Sequence, residues 1–137
     1  MRLFFARLMA DPHNRTLAMR AAFLFYAAVI VFGSIPGARA EIGEFASGLT
    51  LHLAAYSFIA LLLFCGAQGC AWRKACKAFL IIAAMGAVDE CVQSLFSYRG
   101  ASVLDWFIDI NAGLFTTAFL WSIWPKEEVG EKSTSLS

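Results

Sequence analysis

The stretch "LTLHLAAYSFIALLLFCGAQGCA", residues 49–71, contains no Asp, Glu, Lys or Arg. As a helix it would rise about 1.5 Å per residue, enough to cross the roughly 30 Å hydrocarbon core of a bilayer. A helix apolar on every side must be buried all round in a large core or lie in lipid. At 137 residues, 60% hydrophobic and 15% charged, the chain is too short and too oily to build that core in water. The class is therefore a polytopic membrane protein with no separate soluble catalytic domain. A net charge of +1, with no Lys/Arg stripe on a polar face, excludes nucleic acid as a partner.

A basic arm, three further spans and a polar tail complete the pattern. Residues 1–20, "MRLFFARLMADPHNRTLAMR", read as a basic interfacial arm with a helix stop or restart at Asp11-Pro12. "AAFLFYAAVIVFGSIP", residues 21–36, is a charge-free first span, just long enough if its flanks help. The third span, residues 75–98, is interrupted by "DECVQ". The fourth, residues 102–124, carries Asp105, Asp109 and Asn111 early and Trp121 and Trp124 at its end, where indoles suit the membrane interface. Residues 125–137 are polar and expected to be disordered. The expected fold is all-α, an integral membrane four-helix bundle over residues 21–124. "ARA" before Glu41 has the small-x-small form of a signal-peptide cleavage site, so retention and cleavage of residues 1–40 both stand on sequence alone.

Lys and Arg set the orientation. Arg2, Arg7, Arg15, Arg20, Arg73, Lys74, Lys77, Lys126 and Lys132, nine in all, fall on one side of four crossings, against Arg39 and Arg99 on the other. Both termini and the loop around residue 73 are expected in the cytoplasm of a bacterial cell, with the protein in the inner membrane.

This topology brings polar residues together in the outer half of the membrane. They are His52 and Tyr56 on span two, Asp89, Glu90 and Gln93 on span three, Arg99, and Asp105 and Asp109 on span four. Residues four apart share a helix face, so each span offers one polar stripe. Lipid-facing carboxylates cost several kcal/mol each, about 3 even on insertion scales, which turns the stripes toward one another. Four carboxylates facing Arg99 do not balance, and a shared proton, a protonated His52 or a bound cation is expected among them. Arg99, with its forked donors, is the expected internal partner. Simpler roles compete: an interfacial His52, an aromatic-belt Tyr56, and Asp105 as a cap or dipole partner. Cys65, Cys70, Cys76 and Cys91 are unevenly spaced and read as small packing residues, not metal ligands.

In order, "GSIPG", "HLAAY" and "DECVQSLFSYRGASVLDWFIDINAG" resemble the VanZ-like family of small bacterial membrane proteins, over roughly residues 30–120. The resemblance implies that His52, Tyr56, Glu90, Gln93, Arg99, Asp105 and Asp109 are the family's site positions. It also implies an envelope role linked to low-level resistance to the glycopeptide teicoplanin, and a first span retained as a helix. One departure stands out: "SGLTLH" has Gly48 and Leu49 where family members often carry an Asp-Lys pair.

Four functions remain open. The first is an outward polar pocket of His52, Tyr56, Asp89, Glu90, Gln93, Arg99, Asp105 and Asp109 that binds a lipid headgroup or a lipid-linked cell-wall intermediate, needing no cofactor. The second is a metal-dependent membrane enzyme acting on a lipid phosphate, with Asp105, Asp109 and Glu90 around a divalent cation and His52 as acid or base. It lacks a P-loop, a serine-nucleophile motif and HExxH. The third is proton or ion movement through a homo-oligomer, and the fourth a polar cluster that only fixes helix register.

Overall fold

The computed structural model describes residues 11–35, 48–97 and 102–125. These fold into four α-helices: α1 Pro12–Gly33, α2 Gly48–Gly66, α3 Ala71–Ser94 and α4 Val103–Ile123, with no strand among the described residues. The expected all-helical bundle is the observed architecture.

Local chemistry explains where the helices begin. The Asp11 carboxylate accepts the His13 N–H at 2.7 Å and Pro12 occupies the first turn, so the Asp11-Pro12 break is a start signal. From there α1 runs unbroken to Gly33, taking in the second half of the expected basic arm. Ser102 caps α4 by accepting the Asp105 N–H on its hydroxyl at 3.4 Å. Between α2 and α3 the turn is short because Gly69 adopts φ +113°, a conformation open to glycine and costly for other residues. Helix α3 ends at Ser94, earlier than the expected residue 98, which brings its acidic turn closer to the end of the helix.

Helices α1, α2 and α4 are each long and apolar enough to cross a membrane. Helix α3 carries Arg73, Lys74 and Lys77 in its first turns and Asp89 and Glu90 near its end, and packs against α2 and α4. Helix α2 is the hub. It contributes Tyr56, Ile59, Ala60, Leu63 and Phe64 to a core completed by Ala78, Ile82 and Met85 of α3 and Ala112 and Leu120 of α4. Helix α1 lies mainly on α2 and is pinned to α3 by the Tyr26 hydroxyl, which donates to the Met85 carbonyl at 2.8 Å.

The outside of the bundle is as apolar as the inside. Leu24, Phe32, Leu80, Leu104, Phe115 and Phe119 are all exposed, while Asp89, Gln93, Asp109 and Thr117 are buried. In water such a surface would be a continuous sticky patch; in hydrocarbon it is matched to its solvent. Lipid offers no hydrophobic gain for helix association, so close approach must supply the packing energy. At Gly113 a Cβ would stand 2.6 Å from Ile82 Cγ2, and at Gly66 one would stand 2.9 Å from the Met19 backbone nitrogen. These two glycines are where α4 meets α3 and α2 meets α1.

The two ends of the bundle differ chemically. At one end the Lys74 ammonium lies 4.5 Å from the centre of the Trp124 ring, and Trp72 and Trp121 meet edge to face at 5.6 Å. The start of α2, the end of α3 and the start of α4 meet at the other.

Candidate functional site

At that second end, three helices bring their polar turns together. His52, one turn above Tyr56 on α2, approaches α4 so that its Nδ1 lies 2.9 Å from Asp109 Oδ1. The His52 and Tyr56 rings are parallel, with centroids 6.1 Å apart, as the shared helix face requires. Tyr56 donates its hydroxyl to Asp89 Oδ2 of α3 at 3.1 Å. Asp109 is fully buried and Asp89 nearly so. Ligand atoms of His52, Asp89 and Asp109 all lie within 4.8 Å of one another.

Glu90 faces the start of α4. Its Oε2 accepts the Ser102 backbone N–H at 2.6 Å. In a capping box the carboxylate three residues after the cap, here Asp105, would take that N–H. Glu90 takes it instead, which ties the end of α3 to the cap of α4. Asp105 sits half-buried in the first turn of α4, near enough to His52 and Glu90 to act on both electrostatically.

Several polar atoms inside this end are left without partners. Glu90 Oε1, Gln93 Oε1 and Asp109 Oδ2 are buried and accept no hydrogen bond among the described residues. A buried acceptor with no donor costs about 1–3 kcal/mol, and more when it is charged. All three are oxygens that lack donors, and they come from residues on two neighbouring helices. Unsatisfied groups of one kind gathered at one place point to a ligand that brings the missing donors or positive charge.

The expected residues are therefore largely assembled. His52, Tyr56, Asp89 and Asp109 are in direct contact as pairs, and Glu90, Gln93 and Asp105 lie at the same end. Arg99, the expected internal cation, lies outside the described residues, as do Arg39 and the tail from residue 126. Asn111 is not part of the site: it is exposed and donates to the Phe107 carbonyl of its own helix at 2.7 Å. The acidic pair is shallower than the expected end of span three implies. Asp89 lies about 8 Å from the end of α3 at 1.5 Å per residue. Among the cysteines, Cys65 is buried, whereas Cys70 and Cys91 are exposed on the bundle surface and do not pack into its core.

Residues that carried no sequence signal of function shape the site's floor. The Trp106 indole donates to the Ala83 carbonyl at 3.0 Å, clamping α4 to α3. Beside it, Gly86 lets Asp109 approach, since a Cβ there would stand 3.2 Å from Asp109 Oδ2 and 3.0 Å from Trp106 Cδ1. The lone hydroxyl of Tyr26 in an apolar run, and a glycine one turn before the acidic pair, were the available clues.

No protein-family model, curated protein or solved structure matches the chain.

Proposed function

We propose that the chain is a four-pass protein of the bacterial inner membrane, with both termini in the cytoplasm, whose polar pocket opens outward and binds the headgroup of a lipid or lipid-linked cell-wall intermediate. The observation that carries this reading is the pair of bare acceptors on the last turns of α3, Glu90 Oε1 and Gln93 Oε1, buried where two helix ends meet. Both want donors. Ammonium groups and sugar hydroxyls supply donors, and they are common in lipid headgroups and wall precursors. The polar residues lie within about two turns of the end of α3 and the start of α4, the depth at which a headgroup sits when its acyl chains lie against the bundle. The apolar exterior around it, including Leu104 and Phe107, offers those chains a surface.

The orientation rests on the Lys/Arg bias, with basic residues gathered at the opposite end beside the Trp72, Trp121 and Trp124 cluster. The resemblance to the VanZ-like family adds an envelope role and makes teicoplanin susceptibility the phenotype to measure.

Lipids extracted from the purified protein and identified by mass spectrometry test the reading. An amine- or sugar-bearing lipid should be enriched over its share of the membrane and return to that share in Gln93→Ala and Glu90→Ala. Extracts that mirror the bulk membrane in all three proteins would contradict it.

A further inference from the structure

The His52, Asp89 and Asp109 cluster is chemically distinct from the bare acceptors at the mouth. Two buried carboxylates and one imidazole, from three different helices, hold candidate ligand atoms within 4.8 Å of one another. A bound cation is one of the expectations for the four carboxylates, and the enzyme alternative puts it with Asp105, Asp109 and Glu90; the fold groups His52, Asp89 and Asp109 instead.

We infer that His52, Asp89 and Asp109 form a binding site for a first-row divalent metal ion. Three features point this way. The first is spacing: two ligands about 2.1 Å from an ion stand about 3.0 Å apart at the octahedral angle and about 3.4 Å apart at the tetrahedral one, and His52 Nδ1 and Asp109 Oδ1 are 2.9 Å apart, near the octahedral value. The second is the orphan oxygen. Asp109 is fully buried, and among the described residues its Oδ2 has no hydrogen-bond partner although it shares a carboxylate with the oxygen that meets His52. Gly86 keeps the space beside that oxygen clear, since any side chain there would press on it. The third is charge. Ionised, the Asp89 and Asp109 carboxylates would carry two negative charges beside the His52 imidazole. A divalent ion neutralises the cluster.

The donor set narrows the metal. One nitrogen and two carboxylates suit Zn²⁺, Mn²⁺ or Fe²⁺, whereas Ca²⁺ and Mg²⁺ prefer oxygen alone. The surroundings also match what metal ligands need. Tyr56 holds the Asp89 carboxylate through its hydroxyl at 3.1 Å, the kind of outer contact that orients a ligating oxygen. A metal here would occupy the position of the His52 to Asp109 hydrogen bond, and His52 would bind with Nδ1 deprotonated. This inference does not rest on the headgroup reading, because it uses neither Glu90 Oε1 nor Gln93 Oε1.

The test uses full-length protein purified with an affinity tag free of histidine. After loading with ZnCl₂ or MnCl₂ and desalting, metal is measured by inductively coupled plasma mass spectrometry. Wild type should hold about one Zn²⁺ or Mn²⁺ per chain and no Ca²⁺ or Mg²⁺. Asp109→Asn, which keeps the shape and can still meet His52, should weaken metal binding at least about tenfold. Gln93→Ala should keep its metal even where it loses lipid, which separates this inference from the headgroup reading. Should Asp109→Asn fail to fold, a second variant decides: wild type loaded with Co²⁺ should give visible absorption bands that His52→Gln lacks. Wild type retaining far less than one ion per chain, or no more than Asp109→Asn, would overturn the site.

Discussion

His52 on α2 and Asp109 on α4 are 57 residues apart in the chain and 2.9 Å apart in space, with the carboxylate fully buried. That contact joins two of the three helices long and apolar enough to cross a membrane, and it does so through charge-capable groups. Lipid-exposed helices do not hold such a pair without a return, since each buried ionisable group is costly. The pair is either the core of a site or a lock between helices, and substitution separates these.

His52→Ala leaves Asp109 buried with its partner gone, which should destabilise the protein by about 3–5 kcal/mol if the carboxylate stays ionised. His52→Ala combined with Asp109→Leu should recover most of that loss. Thermal unfolding in detergent, followed by size-exclusion chromatography, measures both. Equal destabilisation by the single and double variants would show that the loss does not come from a stranded buried carboxylate.

Gly113→Ala places a methyl group where Ile82 already stands, 2.6 Å from its Cγ2. Overpacking of this kind costs about 1–3 kcal/mol. Shortening the neighbour with Ile82→Val in the same chain should restore part of the lost melting temperature. A Gly113→Ala protein that melts like the wild type would mean α3 and α4 sit farther apart than described.

Trp106→Phe keeps a ring beside Gly86 but removes the indole donor to Ala83 O. A hydrogen bond of this kind contributes about 1 kcal/mol. The melting temperature should fall modestly, with Asp109-dependent properties retained, because the ring still supports the α4 backbone. A loss as large as that of His52→Ala would assign Trp106 a wider role.

Topology can be read by labelling. In a background with its four cysteines replaced, a cysteine at Ser97, exposed just past the end of α3, should react with an impermeant maleimide applied to intact spheroplasts. One at Gln68, exposed in the turn between α2 and α3, should react only after lysis. The reverse pattern would place the site on the cytoplasmic side.

Much of this arrangement is legible in the residues. Hydropathy and the run lengths around Tyr56 and Phe115 give helices in lipid, and the four-residue spacing of His52 with Tyr56 and Asp89 with Gln93 gives their inward faces. What spacing does not give is which stripe meets which. His52 pairs with Asp109 and Tyr56 with Asp89 because Gly86 and Gly113 let α4 slide against α3, and a glycine in an apolar run carries no sign of its partner. Glu90 is a second case. Counted among the pocket residues by sequence, it also caps the next helix through Ser102, a backbone contact invisible to side-chain periodicity. The start of α1 shows the opposite limit: Asp11-Pro12 signals a helix start or stop equally well until the Asp11 carboxylate is seen to accept the His13 N–H.

The central claim is that the end of the bundle holding Glu90 and Gln93 receives a headgroup. Native mass spectrometry of the intact protein, released from the membranes in which it was made, measures this most directly. The account predicts a bound species of lipid mass that survives gentle activation in the wild type and is lost in Gln93→Ala and Glu90→Ala with their helical content unchanged. A wild-type protein that sheds its lipids as readily as both variants would contradict it.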